Sequence, residues 1–526
     1  MNKSYTFSLF LLIAFIEGGA VMACEMLGAR LIAPFYGTTL FVWSTVIGVT
    51  LAALAMGYFL GGYLSERFAR AQTLFLVLAI GSIMIAFMPI SARWILEVTL
   101  PLGVRMGSVL SALVFLLPPL ACLGTTSPII IRLAAQTVEQ SGRVAGTVYC
   151  TSTVSGIFST FLLGFYLIPA FGIALPCYGT ALLLTVLPVW FFFTQRQVQL
   201  TTTIVLLLGI IAFVLFSSHR PTTVNGLTLR ARSEGLLGQV LVLDAHSTVD
   251  PVFPERRLLV INSQMQTMTI KNSTTSLLHY SHALSVAASI KPKGSKTLLL
   301  GLGGGVVANE FLQLGFEVDA VELDDRMVEA ARQYFYLSDK CHIIVDDARH
   351  YLNTCTPQYD VIVMDVHTGE NFPPHLLTKE SLAQVQRSLK PDGLFLMNFT
   401  GFITGEEGLA ARSVLKTLLY AGFDVQLLPT PGEEAMRNLL FFASMQKQDY
   451  ATLVRPERVN ACCVKTMHVP IPLPLHPSNS VNVEDGYLLT DERPMIDMLN
   501  MQAGERWRKN VLNNPNLESL KKLLDY

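Results

Sequence analysis

The feature that most limits how this chain can fold is the crowding of its long apolar runs into the first 217 residues. A helix that crosses a bilayer needs about 20 mainly apolar residues. Seven stretches qualify: 5–27, 40–64, 73–90, 106–131, 144–168, 172–193 and 199–217. Residues 1–217 are therefore expected to form an α-helical transmembrane bundle of about seven spans, with the lipid bilayer as its partner. Glu17 and Glu25 in the first stretch speak against a cleavable signal peptide. The stretch 91–105, with Arg93, Glu97 and Arg105, reads as interfacial or re-entrant. Gly57 and Gly61 have the GxxxG spacing that allows close helix approach, although a flexible apolar helix would carry them equally well. Glu17, Glu25 and Arg30 are costly at membrane depth. Glu25 and Arg30 can pair at the interface, which leaves Glu17 as the candidate for a polar site inside the bundle.

The remaining residues, 218–526, have the mixed pattern of a globular region large enough for a core of its own. A net charge of -1 argues against a nucleic-acid partner. Cys24, Cys122, Cys150 and Cys177 lie in apolar segments, and the adjacent Cys462 and Cys463 read as incidental. No cysteine spacing suggests a zinc site or a disulfide framework, and no metal is expected. Residues 218–290 read as a small β domain, with strand-like runs at 239–244 and 257–261. From Lys296 onward strands alternate with helices. Strands are expected at 296–301, 316–322, 341–345, 359–365, 393–398, 423–428 and 438–444. Helices are expected near 304–313, 324–335, 347–354, 378–389 and 407–420. That alternation implies a doubly wound parallel sheet, an α/β Rossmann-like domain over 291–464. A C-terminal extension, 465–526, opens on a Pro-rich linker and returns to helix-like composition from 484.

The chemistry gathers around Gly301-Leu302-Gly303-Gly304-Gly305, which follows the apolar run 297–300. Glycine lets a backbone pass close under a ligand and take φ > 0 without strain. Glu322 ends the next strand, where an acid suits a ribose diol. Val306 stands where the dinucleotide fingerprint wants glycine or alanine, and no GxxxxGK[ST] occurs. A nucleoside sulfonium fits better, since it needs the ribose acid but no pyrophosphate cradle. Asp347-Ala348 follows the third strand, where Asp347 reads either as a contact to adenine or as the N-cap of the next helix. Asp365, at the tip of the fourth strand, reads as the catalytic acid or as a loop cap.

In order, Gln266, Gly301 to Gly305, Val321-Glu322-Leu323-Asp324, Asp347-Ala348 and Tyr359 to Asp365 resemble the spermidine synthases, the polyamine aminopropyltransferases. The stretches Glu25 to Pro34 and Leu489-Thr490-Asp491-Glu492-Arg493-Pro494 resemble the bacterial branch that fuses a multi-span membrane domain to such a synthase. The resemblance implies a small β domain followed by a methyltransferase-like Rossmann domain. It implies decarboxylated S-adenosylmethionine as donor, a small-molecule amine as acceptor, and a possible homodimer. It gives Glu322 to the ribose, Asp347 to the adenine amine, Gln266 to the nucleoside pocket, and catalysis to Asp365.

Three positions depart from the family pattern. Gly304 stands where the family has an Asp that meets the aminopropyl amine, Thr368 replaces a second acid after Asp365, and the Tyr-His-Glu patch appears as His279-Tyr280-Ser281. His279, Tyr280, His367 and Glu370 are the candidates for acceptor binding, with His375 in the same loop. Methyl transfer from intact S-adenosylmethionine is the competing reaction. A transporter or sensor that binds nucleoside or polyamine without turnover is the reading from another class. Lys3, Arg67, Arg70, Arg132, Arg143 and Arg196 against Arg30, Arg93, Arg105 and Arg220 favour a cytoplasmic N-terminus. Seven spans would then put the catalytic half outside, while donor supply requires it in the cytoplasm. A multi-pass inner-membrane protein with a cytoplasmic catalytic half is expected.

Overall fold

The computed structural model describes residues 7–512 apart from 38–39, 136, 218–222, 225, 236, 247–254, 263, 357, 368–371, 435–436 and 449–474. The expectations placed on Lys3, Arg220, Thr368, Glu370, the Cys462-Cys463 pair and the linker as far as 474 fall outside the described residues. The chain divides into two compact units, one built on the residues up to Arg220 with Ser233–Gly238, and the other on Pro221–Arg232 and Gln239–Leu524.

The first unit is helical: α1 (Phe7–Tyr36), α2 (Leu40–Arg67), α3 (Ala71–Thr99), α4 (Gly103–Phe115), α5 (Leu117–Gly124), α6 (Thr126–Ala134), α7 (Val138–Leu162), α8 (Ile168–Phe171), α9 (Ala174–Thr194) and α10 (Val198–Ser217). Seven helical stretches among the described residues are long and apolar enough to cross a membrane. They do not all fall where expected. Residues 91–99 continue α3, and the single span expected at 106–131 is divided among α4, α5 and α6; the end of α3 with α4 gives the candidate crossing Trp94–Phe115, and α5 with α6 gives Leu117–Ala134. Pro118 explains one break, because it sits in the first turn of α5, where its missing N–H costs nothing. The expected last span, 199–217, is α10.

Small residues set the packing of this unit. A Cβ on Gly57 would stand 2.5 Å from the Ala121 carbonyl oxygen, and one on Gly61 would stand 2.6 Å from that of Thr125. The GxxxG pair therefore seats α2 against the α5–α6 break. Gly18 and Gly19 do the same for α1 against Ser152 and Ser155 of α7. Polar ties are buried in the bundle: the Tyr36 hydroxyl donates to Thr99 Oγ1 at 2.8 Å, and Thr99 meets Ser111 at 2.7 Å. Glu17 is buried, and its carboxyl accepts from Ser152 Oγ at 3.4 Å and pairs with Thr126.

The second unit opens on five strands in the order β1 to β5: β1 (Thr223–Val224), β2 (Leu227–Gly235), β3 (Gly238–Ala245), β4 (Arg256–Ile261) and β5 (Gln264–Ile270). Asp244 is buried at its centre, holding Arg257 at 2.8 Å and Arg230 at 2.6 Å. Helix α11 (His279–Ala288) then leads into the main sheet and packs on the helix Val306–Gln313. The elements are β6 (Lys296–Leu300), α12 (Val306–Gln313), β7 (Glu317–Glu322), α13 (Asp325–Tyr334), β8 (His342–Val345), α14 (Ala348–Thr354), β9 (Tyr359–Met364), α15 (Lys379–Ser388), β10 (Leu389–Thr400), α16 (Leu409–Tyr420), β11 (Asp424–Pro429), β12 (Asn438–Ser444) and β13 (His476–Pro477), with α17 (Ile496–Leu499) and α18 (Met501–Leu512) at the end.

The eight strands lie in the order β13-β11-β12-β10-β9-β6-β7-β8. Strands β10, β9, β6, β7 and β8 are parallel, and the central β6 and β9 carry the buried apolar runs Leu298–Leu300 and Val361–Met364 expected of strands covered on both faces. Strand β12 runs antiparallel to both β10 and β11, so the sheet is mixed rather than parallel throughout. The cause is local: only residues 430–437 join β11 to β12, too few for a crossover.

Candidate functional site

Strands β6, β7, β8 and β9 deliver their carboxyl ends to one edge of the sheet, where an open α/β fold places its ligands. Gly301, Gly303 and Gly305 have φ of 87°, 55° and 74°, so all three glycines read as ligand-facing adopt the left-handed region. At Gly301 a Cβ would stand 2.2 Å from the Asp365 carbonyl oxygen. Only glycine lets the first turn lie that close to the end of β9. Gly304 has ordinary φ, but a Cβ there would stand 2.7 Å from Thr267 Cγ2, and its amide donates to Thr267 Oγ1 at 2.9 Å. Thr267 lies on β5, next to the half-buried Gln266.

Glu322 closes β7 beside this turn. One carboxylate oxygen accepts from the Leu302 amide and the other from the Asp324 amide, each at 3.0 Å. Burial raises its carboxyl above the usual range, and the amides of Asp324, Leu302 and Leu323 partly counter that. With about four acceptor positions, the carboxylate still has room for a further donor. Asp347 is the N-cap of α14: its Oδ1 accepts from the Arg349 amide at 2.8 Å and the His350 amide at 3.0 Å. Its Oδ2 faces His375 Nε2 at 3.5 Å. Ala348, buried, starts the helix.

Asp365 follows β9, and its amide donates to the Leu300 carbonyl at 2.9 Å. Its Oδ1 accepts from Asn398 Nδ2 at 2.8 Å, and Asn438 Nδ2 in turn donates to Asn398 Oδ1 at 2.9 Å. The Tyr280 hydroxyl also bonds the Asp365 carboxylate. Burial, then the charge and hydrogen bond of Asp365, push the Tyr280 phenol well above its ordinary value, so it stays a donor. His367 Nδ1 lies 3.5 Å from Asp365 Oδ1, and the ring packs 4.7 Å from that of Phe372. Burial lowers the His367 pKa, which keeps the imidazole neutral at pH 7. Among the described residues its buried Nε2 has no hydrogen-bond partner.

Of the residues expected to form an acceptor site, Tyr280 and His367 thus flank Asp365. His279, half-buried, begins α11, and Glu370 lies outside the described residues. The structure adds five positions that local pattern did not reveal. Asn398 and Asn438 orient Asp365, and Thr267 fills the space behind Gly304. Behind Tyr280, His282 of α11 and Glu310 of α12 form a buried pair at 2.9 Å. Glu310 also accepts from Ser281 and Ser285, and His282 Nε2 meets the Ser276 carbonyl at 3.1 Å. Although burial works against its charge, the Glu310 contact raises the His282 pKa. Polar residues inside apolar runs, such as Asn398 in Phe395-Leu396-Met397-Asn398-Phe399, were the available signal.

Comparison with known proteins matches residues 279–453 to the spermine/spermidine synthase domain. Over 132 residues the chain is 33% identical to the polyamine aminopropyltransferase of Vibrio vulnificus (strain CMCP6), covering 23% of this chain and 44% of that protein. Over 116 residues it is 36% identical to the N-terminal histidine N-methyltransferase of Emericella nidulans, covering 21% of each. The chain therefore spans less than half the length of either relative. A probable spermidine synthase from Corynebacterium glutamicum ATCC 13032 superposes with a TM-score of 0.41 at 20% identity, over 50% of this chain and 96% of that one. Residues 279–453 thus carry the match to a spermine/spermidine synthase domain.

Proposed function

We propose that the chain is a membrane-bound transferase that moves an aminopropyl group from decarboxylated S-adenosylmethionine to an amine acceptor. The observation that carries this reading is the Asp365 carboxylate, held by Tyr280 and Asn398 against the Gly301 turn. The surrounding residues fit an adenosine-type donor: a left-handed glycine turn without side chains, and a Glu322 carboxylate with free lone pairs beside it. Glu322 would hold the ribose diol, Asp347 Oδ2 the adenine amine, and Gln266 a wall of the nucleoside pocket. When bound, the donor supplies an electrophilic carbon on a sulfonium.

The acceptor amine has a solution pKa near that of lysine, about 10.4, so it arrives as an ammonium. Asp365 would stabilise that ammonium and take its proton as nitrogen attacks. Tyr280 and Asn398 fix the carboxylate's direction, and alignment of this kind lowers the barrier by itself. His279 and the neutral His367 line the acceptor side. The test is to incubate the full-length protein in detergent with each donor and an amine, and to identify the nucleoside product by mass spectrometry. Methylthioadenosine supports aminopropyl transfer; S-adenosylhomocysteine alone rejects it.

Methyl transfer from S-adenosylmethionine remains the second reading, and Gly304 favours it. The resemblance places an acid there for the aminopropyl amine, but here Thr267 occupies the space that a side chain would need.

For the membrane half, the seven candidate crossings together with α10 make eight. An even number returns the chain to the side where it began. The added crossing moves Arg132, Arg143 and Arg196 to the other side of the charge count, so orientation rests on donor supply: a cytoplasmic start gives a multi-pass inner-membrane protein whose catalytic half faces the cytoplasm, where the donor is made. Reporter fusions at Gln195 and at residue 526 would read the side of each position.

A further inference from the structure

The segment from Leu475 to Leu512 lies beyond the 279–453 family match, and no catalytic chemistry is written in its sequence. Its contacts nevertheless reach the edge of the sheet where the donor is placed. Asp491 takes the Arg349 guanidinium in a two-point contact, NH2 to Oδ2 at 2.8 Å and NH1 to Oδ1 at 3.3 Å. Thr378 Oγ1 donates to the same Asp491 Oδ1 at 2.7 Å. Arg349 NH1 also donates to Thr378 Oγ1 at 3.2 Å and to the His375 carbonyl. The backbone around Asp491 is itself fixed. The Lys379 amide donates to the Leu489 carbonyl at 2.9 Å, and the Asp491 amide donates to Glu380 Oε2 at 3.0 Å.

Arg349 is the second residue of α14, and its amide is one of the two that Asp347 Oδ1 caps. The same residue therefore touches Asp347 through its backbone and the His375 loop through its side chain. Asp347 Oδ2 and His375 Nε2 face each other at 3.5 Å and are the polar atoms left over at this corner. An exposed ion pair by itself is worth only about 0–1 kcal/mol. A forked guanidinium contact with a buried threonine behind it instead fixes direction.

We propose that Asp491 is a positioning residue for the donor's base: through Arg349 it holds Asp347 and the His375 loop as one wall of the nucleoside pocket. The proposal rests on the reading of Asp347 as a nucleoside contact. It gives the Leu489-Thr490-Asp491-Glu492-Arg493-Pro494 motif a task, as an intramolecular latch that completes the pocket from outside the family domain.

The test uses full-length protein in detergent with 5′-methylthioadenosine as the probe, read by calorimetry, together with steady-state kinetics. Asp491→Asn is expected to weaken probe binding by about tenfold, the scale for losing a partner that orients a contacting group. It should raise KM for the donor while kcat at saturating donor stays within about twofold, and Asp491→Glu should recover part of the affinity. The control is Asp485→Asn, which breaks a second latch of the same segment, to Arg412 at 2.6 Å. That variant should bind the probe as the wild type does. If Asp491→Asn lowers the melting temperature but leaves binding unchanged, or if Asp485→Asn weakens binding equally, the segment is a staple and the proposal fails. Wild-type protein that does not bind the probe overturns the nucleoside reading itself, and the latch with it.

Discussion

Asn398 of β10 donates its amide to Asp365 Oδ1 at 2.8 Å, from the strand next to the one that Asp365 ends. The bond uses one of the carboxylate's four acceptor positions and leaves others for Tyr280 and for substrate. Asn398→Leu removes the donor at similar volume. We expect kcat to fall by about ten- to a hundredfold, the scale for a misaligned catalytic group, with the affinity for methylthioadenosine unchanged. Single-turnover kinetics beside calorimetry separates the two quantities.

Asp365→Asn keeps the size of the side chain and removes its basicity. Turnover should fall by about 10²–10⁴-fold, the usual share of a general base, while the nucleoside product still binds. A variant that retains more than a tenth of the wild-type rate would assign proton removal to another group.

Gly301→Ala tests the turn. The residue has φ 87°, and a Cβ would collide with the Asp365 carbonyl oxygen at 2.2 Å. The left-handed conformation alone costs alanine about 1–2 kcal/mol. Loss of nucleoside binding together with a lower melting temperature is expected. Gly294→Ala, also at positive φ but in open space, should cost only the conformational part and leave binding intact.

The His282–Glu310 pair makes stability depend on pH. The folded state holds His282 above its ordinary value of 6.5, so the folded protein binds that proton more tightly than the unfolded chain. The stabilisation is complete below the unfolded pKa and is lost as pH rises through the raised folded value. Melting temperatures measured from pH 6 upward should decline, and His282→Gln should flatten that decline. The substitution leaves Glu310 buried without its cation, at a cost of about 3 kcal/mol.

Periodicity made most of the catalytic half legible. The expected strands at 316–322, 341–345 and 438–444 agree with β7, β8 and β12 to within a residue, because buried strands and amphipathic helices write their spacing into the chain. The direction of β12 was not legible, since it depends on the short connection after Pro429 rather than on the strand's own residues. In the membrane half an apolar window counts length but does not register turns, so Pro118 and Gly124 went unread as breaks. The glycine turn, Glu322 and Asp365 stood out because each breaks a pattern at a strand end. Asn398, Thr267 and Asp491 act on residues 33, 37 and 142 positions away, and contacts at that range leave no local trace.

The reversed β12 decides which end of that strand reaches the working rim. A parallel strand would have brought its last residue, Ser444, to the rim. Running backwards, β12 brings its first, Asn438, which props Asn398. The hairpin of residues 430–437 is thereby tethered to the carboxylate at one remove. Lengthening or shortening that loop is a way to retune the reaction without touching any residue that meets the substrates.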